Sequence, residues 1–236
     1  MEQLVNYKRR VASRFLPLEG DSAQQDLPES EAFIYSQKLD GHLGFAVVEG
    51  DSVQFYNRSG TALNLPALAA AFPRLNGIWA GELYMSAGRS RAFQVATAVA
   101  SGGEGLAFAV FDAVHALEQS TTERIELVER TIPAGERVHP VAWARTDSRK
   151  EILARYQEAL EAGQEGLIVV PAHGLGYKLK PIIELDVTVL GYSMKEDGSG
   201  IRSLLVGLMD DEGVWQVVAS VGGGYNEDDR AIWLQK

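Results

Sequence analysis

The sequence contains no cysteine, which excludes disulfides, a thiolate zinc site and a cysteine nucleophile. Long apolar runs are also missing. A membrane-spanning helix needs about 20 consecutive apolar residues, and the longest weakly apolar stretch, Leu63–Phe72, is interrupted by Asn64 and Pro66. The first residues, Met1–Leu18, scatter Lys8, Arg9, Arg10 and Arg14 among apolar side chains. A signal peptide places its charges first and an unbroken apolar core after them. The chain is therefore expected to be soluble and cytoplasmic, with no membrane partner, and is taken as a monomer. Histidine is scarce, and His42, His115, His139 and His173 show no metal-ligand spacing. No G-x-x-x-x-G-K-[ST] segment occurs, so any use of a nucleotide triphosphate cannot rest on a P-loop. Base is short relative to acid: 22 Lys+Arg against 32 Asp+Glu give a net charge of −10. Taken whole, that balance speaks against a nucleic-acid partner.

What is present is a globular composition. The 236 residues are 46% apolar and 23% charged, enough for one large domain or a large and a small one. The segments Ala32–Gln37, Leu43–Val48 and Val53–Tyr56 read as short strands, punctuated by Gly41 and by Glu49–Gly50–Asp51. Gly20, Asp21 and Ser22 mark an earlier turn. Leu65–Phe72 and Ser90–Ala100 read as helices, and Gly77–Tyr84, Leu106–Phe111 and Val138–Ala144 as strands. Asp147–Ala162 is the clearest helix, with Ile152, Leu153, Tyr156, Ala159 and Leu160 on one face. Gly166–Val170 and Tyr177–Lys180 follow as strands. After Pro181 the texture changes: Ile183–Leu190, Ile201–Leu208 and Trp215–Ser220 are strands separated by polar, glycine-rich turns, with a helix beginning at Asn226–Trp233. These features predict an α+β chain with a domain boundary near Pro181, residues 182–236 beginning a small antiparallel barrel.

The distribution of charge reverses the first impression. Between Asp51 and Glu104 the one acid is Glu82, while Arg58, Arg74, Arg89 and Arg91 are present. After Glu165 no acid occurs until Glu184, with Lys178 and Lys180 between them. After Pro181 there are 4 Lys+Arg and 10 Asp+Glu, so much of the excess acid lies away from these segments. Acid-poor, base-bearing stretches suit a polyanion. The isolated carboxylates within them are candidates for holding a metal or for orienting a cation.

Six short segments follow in order: Lys38-Leu39-Asp40-Gly41, Tyr56-Asn57-Arg58-Ser59-Gly60, Gly81-Glu82-Leu83, Phe108-Ala109-Val110-Phe111-Asp112, Glu165-Gly166-Leu167-Ile168-Val169 and Tyr177-Lys178-Leu179-Lys180-Pro181. Any one is weak evidence, and the plain reading of each is a hairpin lysine, a solvated strand end or strand core. As an ordered series they resemble the covalent nucleotidyltransferases, which comprise ATP-dependent DNA ligases, RNA ligases and mRNA capping enzymes. The resemblance runs from about Ala32 to the end of the chain. It implies a nucleotidyltransferase (adenylation) domain of antiparallel sheets with flanking helices over residues 1–181, followed by a partial OB-fold β-barrel over residues 182–236.

The resemblance also implies roles. Lys38 would attack the α-phosphate of ATP to give a lysyl-adenylate. Lys178 and Lys180 would be catalytic cations that also bind the nucleotide. Alternating along one strand, they are expected to point into the same cleft as Lys38. Arg58 would contact phosphate, Phe111 would stack on adenine, and Glu82 and Glu165 would hold Mg²⁺, with Glu82 also near the ribose. The partner implied is nicked DNA, or RNA. Two departures bear on this. Leu43 stands where DNA ligases usually carry an arginine, and the basic segment with which the family orients pyrophosphate is not visible after a barrel of only three strands. The alternatives are an ATP-dependent RNA ligase, a capping guanylyltransferase, or a catalytically incomplete nucleic-acid-binding module. The segments 203–208 and 219–225 resemble the OB domain of DNA ligases and favour DNA.

Overall fold

The structure, a computed structural model, describes residues 7, 15–19, 27–28, 32–87, 90–172, 176–181 and 184–234. The turn expected at Gly20, Asp21 and Ser22 lies outside them, as do Arg89 and His173. The chain forms two compact units, residues 1–182 and 183–236.

The first unit contains two sheets. Strands β1 (Phe15–Glu19), β2 (Phe33–Gln37), β3 (His42–Glu49), β4 (Ser52–Asn57) and β5 (Ala62–Leu63) come first. Helix α1 (Pro66–Ala71) opens with a proline in its first turn, where the missing N–H costs nothing. Strand β6 (Gly77–Met85), helix α2 (Ala92–Ala100) and strand β7 (Leu106–Ala113) follow. A 3₁₀ turn over Val114–Ala116 leads to helix α3 (Thr121–Thr131), then strands β8 (Val138–Pro140) and β9 (Ala144–Thr146). Helix α4 (Arg149–Glu161) and strands β10 (Leu167–Pro171) and β11 (Gly176–Lys180) complete the unit. The six-stranded sheet has the order β5-β4-β3-β6-β7-β8, and the five-stranded sheet β1-β11-β10-β2-β9.

Each sheet is backed by its own core. Behind the six-stranded sheet, Phe55 meets Phe108 edge-to-face at 5.1 Å and Phe72 at 6.0 Å, with Leu68 and Val95 of α1 and α2 buried beside them. Behind the five-stranded sheet, Ile152, Tyr156 and Ala159 of α4 pack on Tyr35, Leu167, Val169 and Leu179. These are the helix positions whose spacing marked an apolar face. Each large side chain so buried is worth about 1.5–3 kcal/mol.

Three elements differ from expectation. The strand expected over Val138–Ala144 is two strands in two sheets: β8 pairs with β7 and β9 with β2. Residues 141–143 carry the chain across. The strand expected over Ile183–Leu190 is β12 (Thr188–Met194), because its ladder with β13 (Ile201–Met209) begins only at Thr188 opposite Gly207. Leu185 and Val187 are left exposed. Helix α3 was not anticipated. Its start is a reciprocal capping box, in which Ser120 Oγ accepts from the Glu123 N–H at 3.2 Å and Glu123 Oε2 from the Ser120 N–H at 2.7 Å.

The second unit has an antiparallel sheet of β12, β13 and β14 (Trp215–Val221). The hydroxyls of Ser193, Ser203 and Ser220 form a ladder across it, at 2.7 Å for each step. Helix α5 (Glu227–Trp233) begins at an Asn226–Asp229 capping box. Its Arg230 donates to the carbonyls of Ile201, Arg202 and Gly222, and so ties the helix to the sheet.

Candidate active site

Lys38 follows β2 and is fixed through its backbone, its N–H donating to the Gly166 carbonyl at 2.8 Å. Two glycines let the chain come this close. Gly166 has φ of +137°, and a Cβ there would overlap the Leu179 carbonyl oxygen. A Cβ on Gly41 would overlap the Leu83 carbonyl oxygen and crowd the Glu82 side chain. Both positions therefore require the smallest residue. Asp40 ties the same turn to α2: its Oδ1 accepts from the Ala92 N–H at 3.2 Å, and its carbonyl accepts from Ser90 Oγ at 2.6 Å. His42 is bonded to the Ala92 carbonyl at 2.7 Å.

The ammonium of Lys38 pairs with Glu165 Oε1 at 2.5 Å. Glu165 Oε2 is buried and has no hydrogen-bond partner among the described residues. Glu82 projects from the middle of β6, opposite Leu43 on β3 and Ala109 on β7. Withdrawal from water pushes its pKa up to about 7, with Glu165 and Asp40 adding to the rise and Lys38 and Lys178 opposing it. The Lys178 ammonium is pulled below the ordinary lysine value by burial first, then by the Lys38 and Arg58 cations. These shifts mark four charged groups, Lys38, Glu82, Glu165 and Lys178, close enough to feel one another.

A cavity of about 360 Å³ adjoins them. Its lining divides into a charged set, Lys38, Arg58, Glu82 and Lys178, and an apolar set that includes Leu43, Phe111, Val141, Trp143 and Val170. Such a two-part lining suits a ligand with a flat apolar portion and an anionic tail. Lys180 and Glu165 line a second cavity of about 860 Å³, to which Lys38 also contributes. Lys178 and Lys180 thus border neighbouring cavities rather than one cleft, with Lys38 common to both.

Local structure aims the outlying members. Arg58 sits in a turn held by Asn57, whose Oδ1 accepts from the N–H groups of Ser59 and Thr61, each at 2.9 Å. Phe111 occupies a β-bulge: Ala80 pairs with Asp112 and Gly81 with Val110, so Phe111 has no partner residue on β6. Bulges redirect side chains beside functional sites, and this one leaves Phe111 half-buried on the cavity wall. Leu43 packs with the apolar cluster of Tyr7, Phe45, Ala80 and Val114, so no cation stands at that position.

Asp112, next to Phe111, is structural. Arg124 Nε and Nη2 donate to it at 2.7 and 3.2 Å, and Tyr7 Oη donates at 2.9 Å. Tyr7, Trp143 and Arg124 were missed in the sequence. Their contacts are long-range and carry no local signature, apart from the Ser120–Glu123 capping pattern that starts the helix of Arg124.

Among the described residues, no group of three or more His, Cys, Asp or Glu is arranged to hold a metal, and no helix is long and apolar enough to cross a membrane.

No protein-family model matches the chain. A curated relative named "Probable DNA ligase", from Nocardioides sp. (strain ATCC BAA-499 / JS614), is 33% identical over 153 residues, which is 57% of this chain and 29% of the relative. The chain thus spans less than a third of that relative's length. Among solved structures, a Lig E DNA ligase matches with a TM-score of 0.64 at 21% identity, over 92% of this chain and 86% of that one. Pmar-Lig_PreS3 matches with 0.64 at 20% identity, over 94% and 59%. Chlorella virus DNA ligase-adenylate matches with 0.52 at 17% identity, over 94% and 88%. The fold is the one these DNA ligases share: antiparallel sheets with flanking helices, followed by a small OB-like sheet.

Proposed function

We propose that this chain is the catalytic core of an ATP-dependent DNA ligase, sealing 5′-phosphate/3′-hydroxyl nicks through a lysyl-AMP formed on Lys38. The observation that carries the reading is the pairing of Lys38 with Glu165 beside Glu82 and Lys178, at a cavity whose apolar wall includes Phe111. The named relative supports DNA over RNA. The reading carries with it a monomer working in the cytoplasm, where nicked DNA is met.

The chemistry follows from the residues. An amine attacks phosphorus only when neutral, so Lys38, ion-paired with Glu165, must first release its proton to solvent. The neutral Nζ forms a bond to the α-phosphorus of ATP while the bond to the β-phosphate oxygen breaks, releasing pyrophosphate. A 5′-phosphate oxygen of the nicked strand then attacks the same phosphorus and Lys38 leaves, giving an adenylated end. The 3′-hydroxyl attacks that end, joins the strands and expels AMP. Phosphoryl transfer of this kind rests on positioning and charge stabilisation, which Arg58, Lys178 and Lys180 provide. Phe111 offers a face for the adenine.

Mg²⁺ fits the carboxylates. Glu165 Oε2 is a buried acceptor with no partner among the described residues, and Glu82 lies close enough to shift with it. Mg²⁺ characteristically takes one or two carboxylates together with substrate phosphates, so the lack of a larger protein cluster is in keeping. Glu82 and Glu165 would hold it, and the ion would neutralise charge on the phosphate oxygens.

The test is covalent labelling with Mg²⁺ and α-phosphate-labelled ATP, read on a denaturing gel. The wild-type chain retains label and Lys38→Ala retains none. Equal label on both would sink the assignment. Competing nicked DNA against nicked RNA separates the two ligase readings.

A further inference from the structure

The cavity beside Lys38 has one wall that the motif series does not account for. Tyr7 lies far from every motif in sequence, yet it lines the cavity together with Phe111 and Asp112. It is 2% exposed. Its ring meets Phe45 edge-to-face at 5.5 Å, and its hydroxyl donates to Asp112 Oδ2 at 2.9 Å. The same carboxylate takes both Arg124 donors and, through Oδ1, the Ala113 N–H at 2.8 Å. Arg124 is anchored in turn by donating to the Gln119 carbonyl at 2.7 Å. A buried carboxylate this fully satisfied is rigid, and the residue before it is the bulged Phe111. A bulged residue lacks the cross-strand partner that would fix its direction, so its ring must be fixed by its neighbours.

We infer that the Tyr7–Asp112–Arg124 network holds the Phe111 bulge, making Tyr7 and Arg124 positioning residues for the nucleotide base and Tyr7 a wall of the base pocket. This deepens the ligase reading and rests on it. The network reaches Phe111 from two directions: Tyr7 from the segment before the sheets, and Arg124 from α3. The hydrogen bonds described for its side chains run among themselves and to Ala113, Gln119 and Thr121. Loosening it should weaken capture of the purine and leave the phosphoryl-transfer groups unaltered.

The experiment is initial-rate labelling of the full chain with α-phosphate-labelled ATP, for wild type, Tyr7→Phe and Arg124→Lys. Tyr7→Phe keeps the ring and removes the hydroxyl. Arg124→Lys keeps the charge and loses the two-point grip. Both variants should raise the KM for ATP about tenfold or more, the scale of one lost hydrogen bond to a charged group. The rate at saturating ATP should stay within about twofold. Inhibition by inorganic tripolyphosphate, which has no base, should be unchanged. Melting temperatures are measured alongside. If both variants melt lower while the KM for ATP is unmoved, the network is only structural and the inference is overturned. A parallel weakening of tripolyphosphate inhibition overturns it too, since the damage then extends to the phosphate groups. Failure of the wild-type chain to label at all is a failure of the ligase reading, and so stands apart from both outcomes.

Discussion

Glu82 offers a test in which site and stability oppose one another. Its carboxyl has a pKa of about 7 in the folded chain against the ordinary 4.5, chiefly because β6 withdraws it from water. The sign is set by proton binding. Between pH 4.5 and 7 the folded chain holds a proton at Glu82 that the unfolded chain has released, so stability falls as pH rises through that window and levels off above it. Each pH unit of displacement corresponds to about 1.4 kcal/mol, and linkage between those two pKa values gives a loss of about 2.5 kcal/mol from pH 5 to pH 8. Glu82→Gln replaces the carboxyl with a neutral group of the same shape and removes this dependence. Urea unfolding of both chains at a series of pH values, without Mg²⁺ or nucleotide, measures the difference. The gap in the variant's favour should widen by about 2.5 kcal/mol between pH 5 and pH 8, while labelling by ATP collapses. A stability gap that does not change with pH, or one that grows in favour of wild type, would refute the account of Glu82 as a carboxylate kept in the site at the expense of the fold.

Two further outcomes follow from packing. Gly166→Ala places a Cβ against the Leu179 carbonyl at a φ that L-residues rarely adopt. A loss of about 2 kcal/mol or more in thermal unfolding is expected, and a loss under about 0.5 kcal/mol would contradict the close approach of the strands. Arg124→Met leaves Asp112 charged and buried, with both residues about 5% exposed. The expected cost is about 3–5 kcal/mol by urea midpoint, partly recovered in the double variant Arg124→Met/Asp112→Leu. Absence of recovery would mean that packing, not charge, makes the loss.

Much of the fold was legible because its signals are local. The hairpin of β3 and β4 turns at Gly50–Asp51, and α4 shows its face in Ile152, Tyr156 and Ala159. Helix α3 escaped because its apolar face is narrow: Ile125 and Val128 are its only buried apolar residues. The Ser120–Glu123 cap was in plain sight nevertheless. The division of residues 138–146 between two sheets was not legible, since it depends on which partner strand each half meets. In the site, the order of the motifs carried the proposal, yet the pairing of Lys38 with Glu165 and the support of Phe111 by Tyr7 join residues more than a hundred positions apart. No window of sequence contains them.

The division at residues 141–143 has a consequence for the proposed reaction. Lys38, Glu165 and Lys178 hang from the five-stranded sheet or its ends, while Glu82 and Phe111 belong to the six-stranded one. On the proposed reading, a nucleotide held by both sets would be a strut between two halves whose main cores are separate. It adds RT ln(1 + [L]/Kd) to their union and nothing to either half alone. A lysyl-bound AMP cannot diffuse away, so the charged enzyme would carry that brace with it until a DNA end removes it. On the proposed reading, donation of AMP would remove that brace and leave the halves joined by the chain and by the cluster of Ile34, Ile125 and Val170.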